Sequence, residues 1–168
     1  MNPDGLVYEP EFISAAEEAV LLEAIRALPL EEARYRQFTA KRRVAIFDGP
    51  PEFLVSLRDR LAAWMELSAA DVAFTLINEY RPGTALGWHR DSPEYESVAG
   101  VSLGAPCRMR FRRWPPSKGR SRDALELALA PRSAYIMRGA VRWRWQHCVP
   151  AVKELRYSIT FRSSRTER

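Results

Sequence analysis

The tightest constraint on the fold lies near the end of the chain, where polar and apolar side chains alternate from Arg156 to Arg162. Successive side chains of a β-strand point to opposite faces, so this alternation predicts a strand with two unlike faces. The apolar face is made by Tyr157, Ile159 and Phe161. The polar face is made by Arg156, Ser158, Thr160 and Arg162.

Two guanidinium groups on one strand face need a partner if that face is buried. An unpaired buried charge is disfavoured by several kcal/mol, and a dicarboxylate would neutralise the row because guanidinium forks match carboxylates bidentately. A ketoacid that chelates a metal with one end needs such a cation for its other end. An edge strand with its arginines in water is the alternative.

A second constraint is the stretch Gly87 to Asp91, in which His89 and Asp91 are two residues apart. On an extended backbone both point the same way, and Arg90 points oppositely. The chain has one other histidine, His147. Two histidines and a carboxylate form the facial set of non-haem Fe(II) oxygenases, which leaves three positions open for cosubstrate and oxygen. A His-x-Asp pair alone is common on strands, so the prediction depends on the whole set.

A third strand is predicted from Val72 to Tyr80, and its even positions place Asn78 and Tyr80 on one face. The order Asn78-Glu79-Tyr80, His89-Arg90-Asp91, His147 and Arg156 to Arg162 resembles the pattern of AlkB-type Fe(II)/2-oxoglutarate-dependent dioxygenases. The resemblance covers roughly Leu76 to Arg162, and Ser158 stands where the family has asparagine.

The resemblance implies a mainly β fold with N-terminal helices (α+β), built on a double-stranded β-helix, or jelly roll. It further implies Fe(II) held by His89, Asp91 and His147, with 2-oxoglutarate as cosubstrate and O2 as oxidant. Arg156 would pair with the distal carboxylate of 2-oxoglutarate, and Arg162 would act nearer the metal. The rest of the implied cosubstrate cradle is Asn78, Tyr80, Ser158 and Thr160. The implied reaction is oxidative demethylation of an N-alkylated base in DNA or RNA.

The length of 168 residues and 46% hydrophobic content suit a single domain, 1–168, with a sizeable core. We expect residues 1–70 to form helical support and a substrate lid, and residues 71–168 to form the jelly-roll catalytic core. No apolar run approaches the length of a membrane span, and no signal sequence is apparent, so we expect a cytoplasmic protein with no membrane partner. A monomer is the expected state, although the sequence leaves the oligomeric state open. Two cysteines, Cys107 and Cys148, are too few for a disulfide framework.

Charge is unevenly distributed along the chain. Residues 1–32 carry eight acidic residues and one arginine, whereas the remainder is strongly basic and brings the net charge to +5. A basic surface favours a polyanion such as nucleic acid, although solubility alone can explain it. The segment Arg108 to Arg122 has seven basic residues and no acidic one, and Arg108, Arg110 and Arg112 would share a strand face. Loop contacts with phosphates are expected from Arg112, Arg113, Lys118 and Arg120.

The N-terminal part predicts two helices and short strands. Ser14 to Glu17 has the form of a capping box, followed by apolar residues at helical spacing, including Val20, until Pro29. A second helix is expected after Pro51, and short strands between Ala33 and Phe47. The resemblance assigns a lid to this region, with candidate contacts at Arg34, Tyr35, Arg36, Phe38, Lys41, Arg42 and Arg43. Packing is an equally good explanation for the aromatic members of that set.

Further short strands are expected at 97–104, 107–112, 125–129 and 133–137. If the chain before His147 is also a regular strand, then Trp143, Trp145 and His147 share a face, with a tryptophan beside the metal.

Three other functions stay open at this point. A 2-oxoglutarate oxygenase acting on a protein or small molecule would use the same residues, and Ser92-Pro93 follow the metal motif where DNA-repairing relatives have an acidic residue. A hydrolytic zinc enzyme is a second alternative, but zinc hydrolysis would not explain the arginines of the Arg156 to Arg162 strand. A non-catalytic nucleic-acid binder would use only the basic loop. The oxygenases need 2-oxoglutarate and Fe(II), and the other two need neither.

Overall fold

The computed structural model describes residues 2–35, 38–117 and 124–166. Its strands are β1 (Leu6–Glu9), β2 (Glu31–Tyr35), β3 (Phe38–Asp48), β4 (Phe74–Tyr80), β5 (Leu86–His89), β6 (Tyr95–Gly104), β7 (Cys107–Arg113), β8 (Leu125–Leu129), β9 (Ala134–Met137), β10 (Trp145–Val149) and β11 (Arg156–Ser164). The helices are α1 (Ala15–Arg26), α2 (Val55–Trp64) and α3 (Ala140–Arg144), with single 3-10 turns at Glu52–Leu54 and Ala69–Asp71.

The strands form two antiparallel sheets. The large sheet has seven strands in the order β1-β9-β6-β11-β4-β3-β2, and the small sheet has four in the order β5-β10-β7-β8. The predicted fold class, mainly β with helices and a jelly-roll core, is confirmed. The central strand β11 pairs with β6 on one side and with β4 on the other, where Ser158 lies opposite Asn78 and Arg156 opposite Tyr80.

Two apolar clusters follow from strand alternation. The odd positions of β11 and β4, including Ile159 and Ile77, pack against Leu21 and Ile25 of α1 and against α2. The second cluster lies between the sheets, where Phe111 and Met109 of β7 meet Tyr135 and Met137 of β9. The polar face of β11 therefore lies toward the small sheet, and the helices cover the other face of the large sheet.

Helix α1 begins at the predicted cap but ends at Arg26, before Pro29, and α2 begins at Val55, after Pro51 and a 3-10 turn. In α1, Ser14 accepts a hydrogen bond from the Glu17 backbone, and the Glu17 side chain accepts one in return, so the capping box is confirmed. Val20 was expected in the apolar stripe, but it is 67% exposed. Only one narrow side of this helix, with Leu21 and Ile25, meets the sheet.

Two predictions about local structure were wrong or incomplete. The chain before His147 is not a regular strand, because Gly139, at φ 59°, begins the short helix α3 that contains Trp143. Trp143 and His147 therefore do not share a strand face. The N-terminal region also provides β1, which pairs with β9 and was not predicted. Among the described residues, no helix has the length and apolar character needed to cross a bilayer.

Candidate metal and cosubstrate site

Two neighbouring strands bring the histidines together. His89 ends β5, His147 lies in the middle of β10, and the two residues are direct partners in the antiparallel register. Their ring centroids are 4.3 Å apart. Asp91 follows two residues after His89, and its Oδ1 lies 3.5 Å from His89 Nε2 and 3.7 Å from His147 Nε2. One ligand atom from each of the three residues lies within 4.8 Å of the others.

The protonation states of this cluster suit a divalent cation. The Nδ1 atom of His89 lies 2.8 Å from the Gly87 carbonyl oxygen, to which it donates, and the Nε2 atom faces Asp91. Burial, followed by the proximity of His89, lowers the pKa of His147 to about 3, which keeps that imidazole neutral. Two imidazoles and one carboxylate are a donor set that fits Fe(II).

The carboxylate of Asp91 is held by Arg162. Arg162 Nε donates to Asp91 Oδ2 at 2.9 Å, and Arg162 Nη1 donates to the Thr160 hydroxyl at 3.0 Å. Burial would raise the pKa of Asp91, but the charge of Arg162 lowers it below its ordinary value. Asp91 is therefore ionised and its orientation is fixed, as a metal-binding carboxylate requires.

A cavity of about 840 Å³ extends from this cluster. It is lined by both sheets, and all of the predicted site residues contribute to its wall: Asn78, Tyr80, His89, Asp91, His147, Arg156, Ser158, Thr160 and Arg162. The even positions of β4 and β11 thus face inward, as the alternation predicted. The structure brings every one of these residues to a single site.

Arg156 gives this cavity an anion-binding end. The residue is 1% exposed, its Nε donates to the Ser102 hydroxyl at 3.0 Å, and its guanidinium lies 5.0 Å from the centre of the Tyr80 ring. Its Nη1 atom is buried without a hydrogen-bond partner, and no carboxylate among the described residues pairs with it. A buried cation of this kind needs an anion, and the distal carboxylate of 2-oxoglutarate fits that need.

Asn78 and Ser158 lie beside Arg156 on the same wall. The amide nitrogen of Asn78 donates to the Ser158 hydroxyl at 3.2 Å, and the amide oxygen is buried without a partner. Rotating the amide by 180° would let Ser158 donate to the oxygen and turn the NH2 group into the cavity, where a carboxylate can accept from it. The Asn78–Ser158 pair is therefore compatible with a carboxylate ligand.

The structure adds residues whose roles the sequence did not reveal. Arg142 is buried, and its Nη2 donates to the carbonyl oxygens of Ser92 at 2.6 Å and Tyr95 at 2.7 Å. It thereby fixes the loop that follows Asp91. Phe74 and Tyr95 form an aromatic pair, with ring centroids 5.0 Å apart, beside the Arg162 guanidinium. Arg142 binds backbone carbonyls, which no side-chain pattern signals.

The candidate lid residues lie in different places in the structure. Arg34 and Arg42 line the cavity. Arg43 points to the opposite face of β3 and forms a bidentate pair with Glu79, so it is not available to a substrate in the cavity. Arg36 lies outside the described residues, as do Lys118 and Arg120 of the basic loop, and the side chains of Tyr35 and Phe38 are likewise not described.

Comparison with known families and proteins gives matches that span most of the chain. A family model described as the 2OG-Fe(II) oxygenase superfamily matches residues 17–162. The chain is 28% identical to the "Alkylated DNA repair protein ALKBH8 homolog" of Arabidopsis thaliana over an alignment 202 residues long. The alignment covers 98% of this chain and 57% of that protein. It is 24% identical to the "Probable RNA/DNA demethylase ALKBH6" of Danio rerio over 170 residues, which cover 90% of this chain and 72% of that protein. The chain thus spans just over half the length of the Arabidopsis relative.

Solved structures share the fold at lower sequence identity. The structure of OsALKBH1 matches with a TM-score of 0.74 and 16% identity, covering 97% of this chain and 98% of that one. A Pseudomonas putida prolyl-4-hydroxylase matches with a TM-score of 0.69 and 15% identity, covering 97% of this chain and 94% of that one. At these identities the likeness concerns the fold.

Proposed function

This chain belongs to the 2OG-Fe(II) oxygenase superfamily as an AlkB-type dioxygenase, and we propose that it oxidatively demethylates N-alkylated bases in nucleic acid. Its cofactors are Fe(II) and the cosubstrate 2-oxoglutarate. Together with O2 they supply the oxidation of a substrate C–H bond, coupled to the conversion of 2-oxoglutarate to succinate and CO2. A hydroxymethyl group on a base nitrogen then breaks down to formaldehyde and the unmodified base.

In the proposed site, His89, Asp91 and His147 hold the iron. Arg156 binds the distal carboxylate of 2-oxoglutarate, supported by Asn78, Ser158 and the ring of Tyr80. Arg162 orients Asp91, and Thr160 acts through Arg162, because its hydroxyl accepts from Arg162 and donates to the Leu76 carbonyl oxygen at 3.3 Å. The chain therefore contributes binding, orientation and the neutral state of His147.

The observation that carries the choice of substrate is the aromatic wall beside the metal cluster. Phe74 and Tyr95 lie next to the Arg162 and Asp91 pair, within a cavity that continues to the cationic side chains of Arg34 and Arg42. A flat base extruded from a strand stacks on aromatic rings, and an exposed cation such as Arg34 can bind its phosphates. The names of the two relatives, which refer to alkylated DNA repair and RNA/DNA demethylation, support the same substrate class.

The test is formaldehyde release from a panel of DNA and RNA oligonucleotides, each carrying one methylated base, with succinate measured in the same reactions. We expect stoichiometric formaldehyde and succinate from at least one oligonucleotide, and neither from that oligonucleotide with the Asp91→Asn variant. Unmethylated oligonucleotides are the matched substrate control. Succinate formation without formaldehyde from any oligonucleotide would contradict the nucleic-acid substrate and favour a protein or small molecule, while leaving the oxygenase chemistry intact.

A further inference from the structure

The outer face of the small sheet carries a group of arginine and tryptophan side chains that the proposed reaction does not use. We call it the Arg–Trp face; its members are Trp88, Arg90, Arg108, Arg110, Arg112, Trp114 and Gln146. Strand register fixes their direction: Gln146 lies opposite Arg112 and Cys148 opposite Arg110, whereas their neighbours His147 and Phe111 point inward. Helices α1 and α2 pack on the large sheet, so neither covers this face.

The cations and rings of this face are stacked on one another. The guanidinium of Arg112 lies 4.5 Å from the centre of the Trp88 ring, and that of Arg110 lies 5.8 Å from it. Arg112 Nε also donates to Gln146 Oε1 at 2.8 Å. At the end of the sheet, Arg90 lies 5.0 Å from the ring centre of Trp114, which is 41% exposed. Stacking holds these planar groups in place and leaves guanidinium N–H groups facing solvent.

Acidic partners are scarce on this face. Within the part of the chain that the structure describes, the carboxylate paired with these arginines is Glu126, which lies 3.3 Å from Arg108, itself 72% exposed. Arg110 and Arg112 form no ion pair with any described carboxylate. Among the described residues, this face has four arginines and one paired glutamate. The excess of positive charge makes the face complementary to an anion.

We propose that the Arg–Trp face binds a single-stranded segment of nucleic acid that flanks the nucleotide in the cavity. Arg108, Arg110 and Arg112 alternate along β7 at a spacing of about 6.6 Å, which is similar to the distance between successive phosphates of an extended single strand. Guanidinium edges bind phosphates, and the stacked guanidinium and indole planes accept bases without regard to sequence. An acidic peptide would supply the charge but would leave the planar surfaces unused.

The face is continuous with the cavity through Arg90. This residue lines the cavity and also stacks on Trp114, and the adjacent His89 and Trp88 lie on opposite faces of β5. A strand that leaves the cavity past Arg90 therefore reaches Trp114 and then Arg112. The choice of nucleic acid as partner rests on the proposed function, but binding on this face does not require turnover.

The test compares the parent chain with the double variant Arg110→Gln/Arg112→Gln. Binding of an unmethylated 12-nucleotide RNA and of a 3-nucleotide RNA is measured by fluorescence anisotropy over a range of salt concentrations. The matched control is Arg26→Gln/Arg60→Gln, which removes the same charge from the helical side of the molecule. Thermal unfolding establishes that each variant is folded.

For the 12-nucleotide strand, we expect the double variant to bind about tenfold more weakly, and its log-affinity against log-salt slope to fall by about 1.4, from roughly 0.7 per phosphate contact. The control should match the parent, and the 3-nucleotide strand should bind weakly to all three proteins. Equal slopes for parent and double variant, or no binding by the parent, would overturn the proposal. The proposal would also be overturned if the double variant lost binding to phosphatidylserine vesicles while its RNA binding was unchanged. That result would assign the face to a membrane surface.

Failure of this proposal differs from failure of the proposed function. If no methylated oligonucleotide releases formaldehyde but the slope changes as expected, the face binds nucleic acid and the demethylase assignment fails. If formaldehyde is released and the slope is unchanged, the demethylase assignment stands and the proposal that this face binds nucleic acid fails.

Discussion

At the scale of single residues, the site depends on a few polar groups whose hydrogen bonds are incomplete without a ligand. Arg156 is the main example, because it is buried and its Nη1 atom has no partner. Arg162 is the contrasting case, because its donors are directed to Asp91 and Thr160. Under the proposed function, Arg156 binds the cosubstrate and Arg162 orients a metal ligand.

The Arg156→Lys variant separates charge from geometry. Lysine keeps the positive charge but loses the planar fork and the hydrogen bond that holds it to Ser102. We expect KM for 2-oxoglutarate to rise roughly ten- to a hundredfold, since a hydrogen bond to a charged group contributes about 1.5–3 kcal/mol. The measurement is succinate formation as a function of 2-oxoglutarate concentration, with Arg26→Lys as the control. An unchanged KM would mean that the cosubstrate binds elsewhere.

The Arg162→Lys variant tests how Asp91 is oriented. Loss of a partner that orients a metal ligand typically costs ten- to a hundredfold in metal affinity, so we expect Mn(II), used as a redox-stable probe, to bind about that much more weakly. Arg58→Lys is a matched control, because Arg58 Nε donates to Asp59 at 2.8 Å on the surface, far from the cluster in sequence. Equal Mn(II) affinity in the Arg162→Lys variant and the parent would show that Arg162 does not position Asp91.

At the scale of elements, Glu79 joins three strands of the large sheet on the face opposite the cavity. Its carboxylate accepts hydrogen bonds from Arg43 Nε at 2.6 Å and Nη2 at 2.9 Å, and from the Tyr157 hydroxyl at 3.1 Å. Arg43 belongs to β3, Glu79 to β4 and Tyr157 to β11, which carries the arginines of the site. In the same Asn-x-Tyr stretch, Asn78 and Tyr80 therefore line the cavity, and Glu79 joins the strands on the opposite face.

We expect the Glu79→Gln variant to lower the free energy of unfolding by about 1–3 kcal/mol at pH 7, because it weakens hydrogen bonds to a buried charged group. Glu17→Gln is the control: it disrupts the exposed ion pair with Arg60 and should cost less than about 1 kcal/mol. Chemical denaturation measures both values. A Glu79→Gln variant as stable as the parent would show that this cluster does not hold the strands together.

The effect of Glu79→Gln should also depend on pH. Hydrogen bonds from Arg43 lower the pKa of Glu79, burial opposes this, and Tyr157 lowers it further. A carboxyl group whose pKa is lowered in the folded state stabilises the protein at pH values above the ordinary carboxyl pKa. This contribution is lost as the pH falls through the folded-state pKa. The stability difference between parent and variant should therefore shrink below about pH 4. A difference that grows on acidification would have the wrong sign.

The elements also show what sequence patterns can and cannot predict. Alternation in β4 and β11 was sufficient to place Asn78, Tyr80 and the arginines on one face, because strand geometry is local. The strand predicted through Trp143 failed because Gly139, at a positive φ, allows the turn that begins α3. The four-residue strand β1 was missed because its residues are all exposed or half-buried and give no clear alternation.

At the scale of the whole molecule, function depends on contacts between distant parts of the chain. His89 meets His147, and Trp88 meets Arg112, only because β5 and β7 flank β10 in the small sheet. The inventory of two histidines made the first contact predictable from sequence, since no other histidine was available. Nothing in the sequence paired Trp88 with Arg112, because strand order is a property of the assembled sheet.

We propose that His89, Asp91 and His147 hold the iron with which this chain acts as a 2-oxoglutarate-dependent oxygenase. The most direct test of this proposal is Fe(II)-dependent succinate formation from 2-oxoglutarate, measured together with bound iron per chain, for the parent, His89→Ala and the surface control Asp59→Asn. We expect one iron per chain and succinate formation for the parent and for Asp59→Asn, and loss of both for His89→Ala with an unchanged melting temperature. Full iron binding and succinate formation by His89→Ala would contradict it.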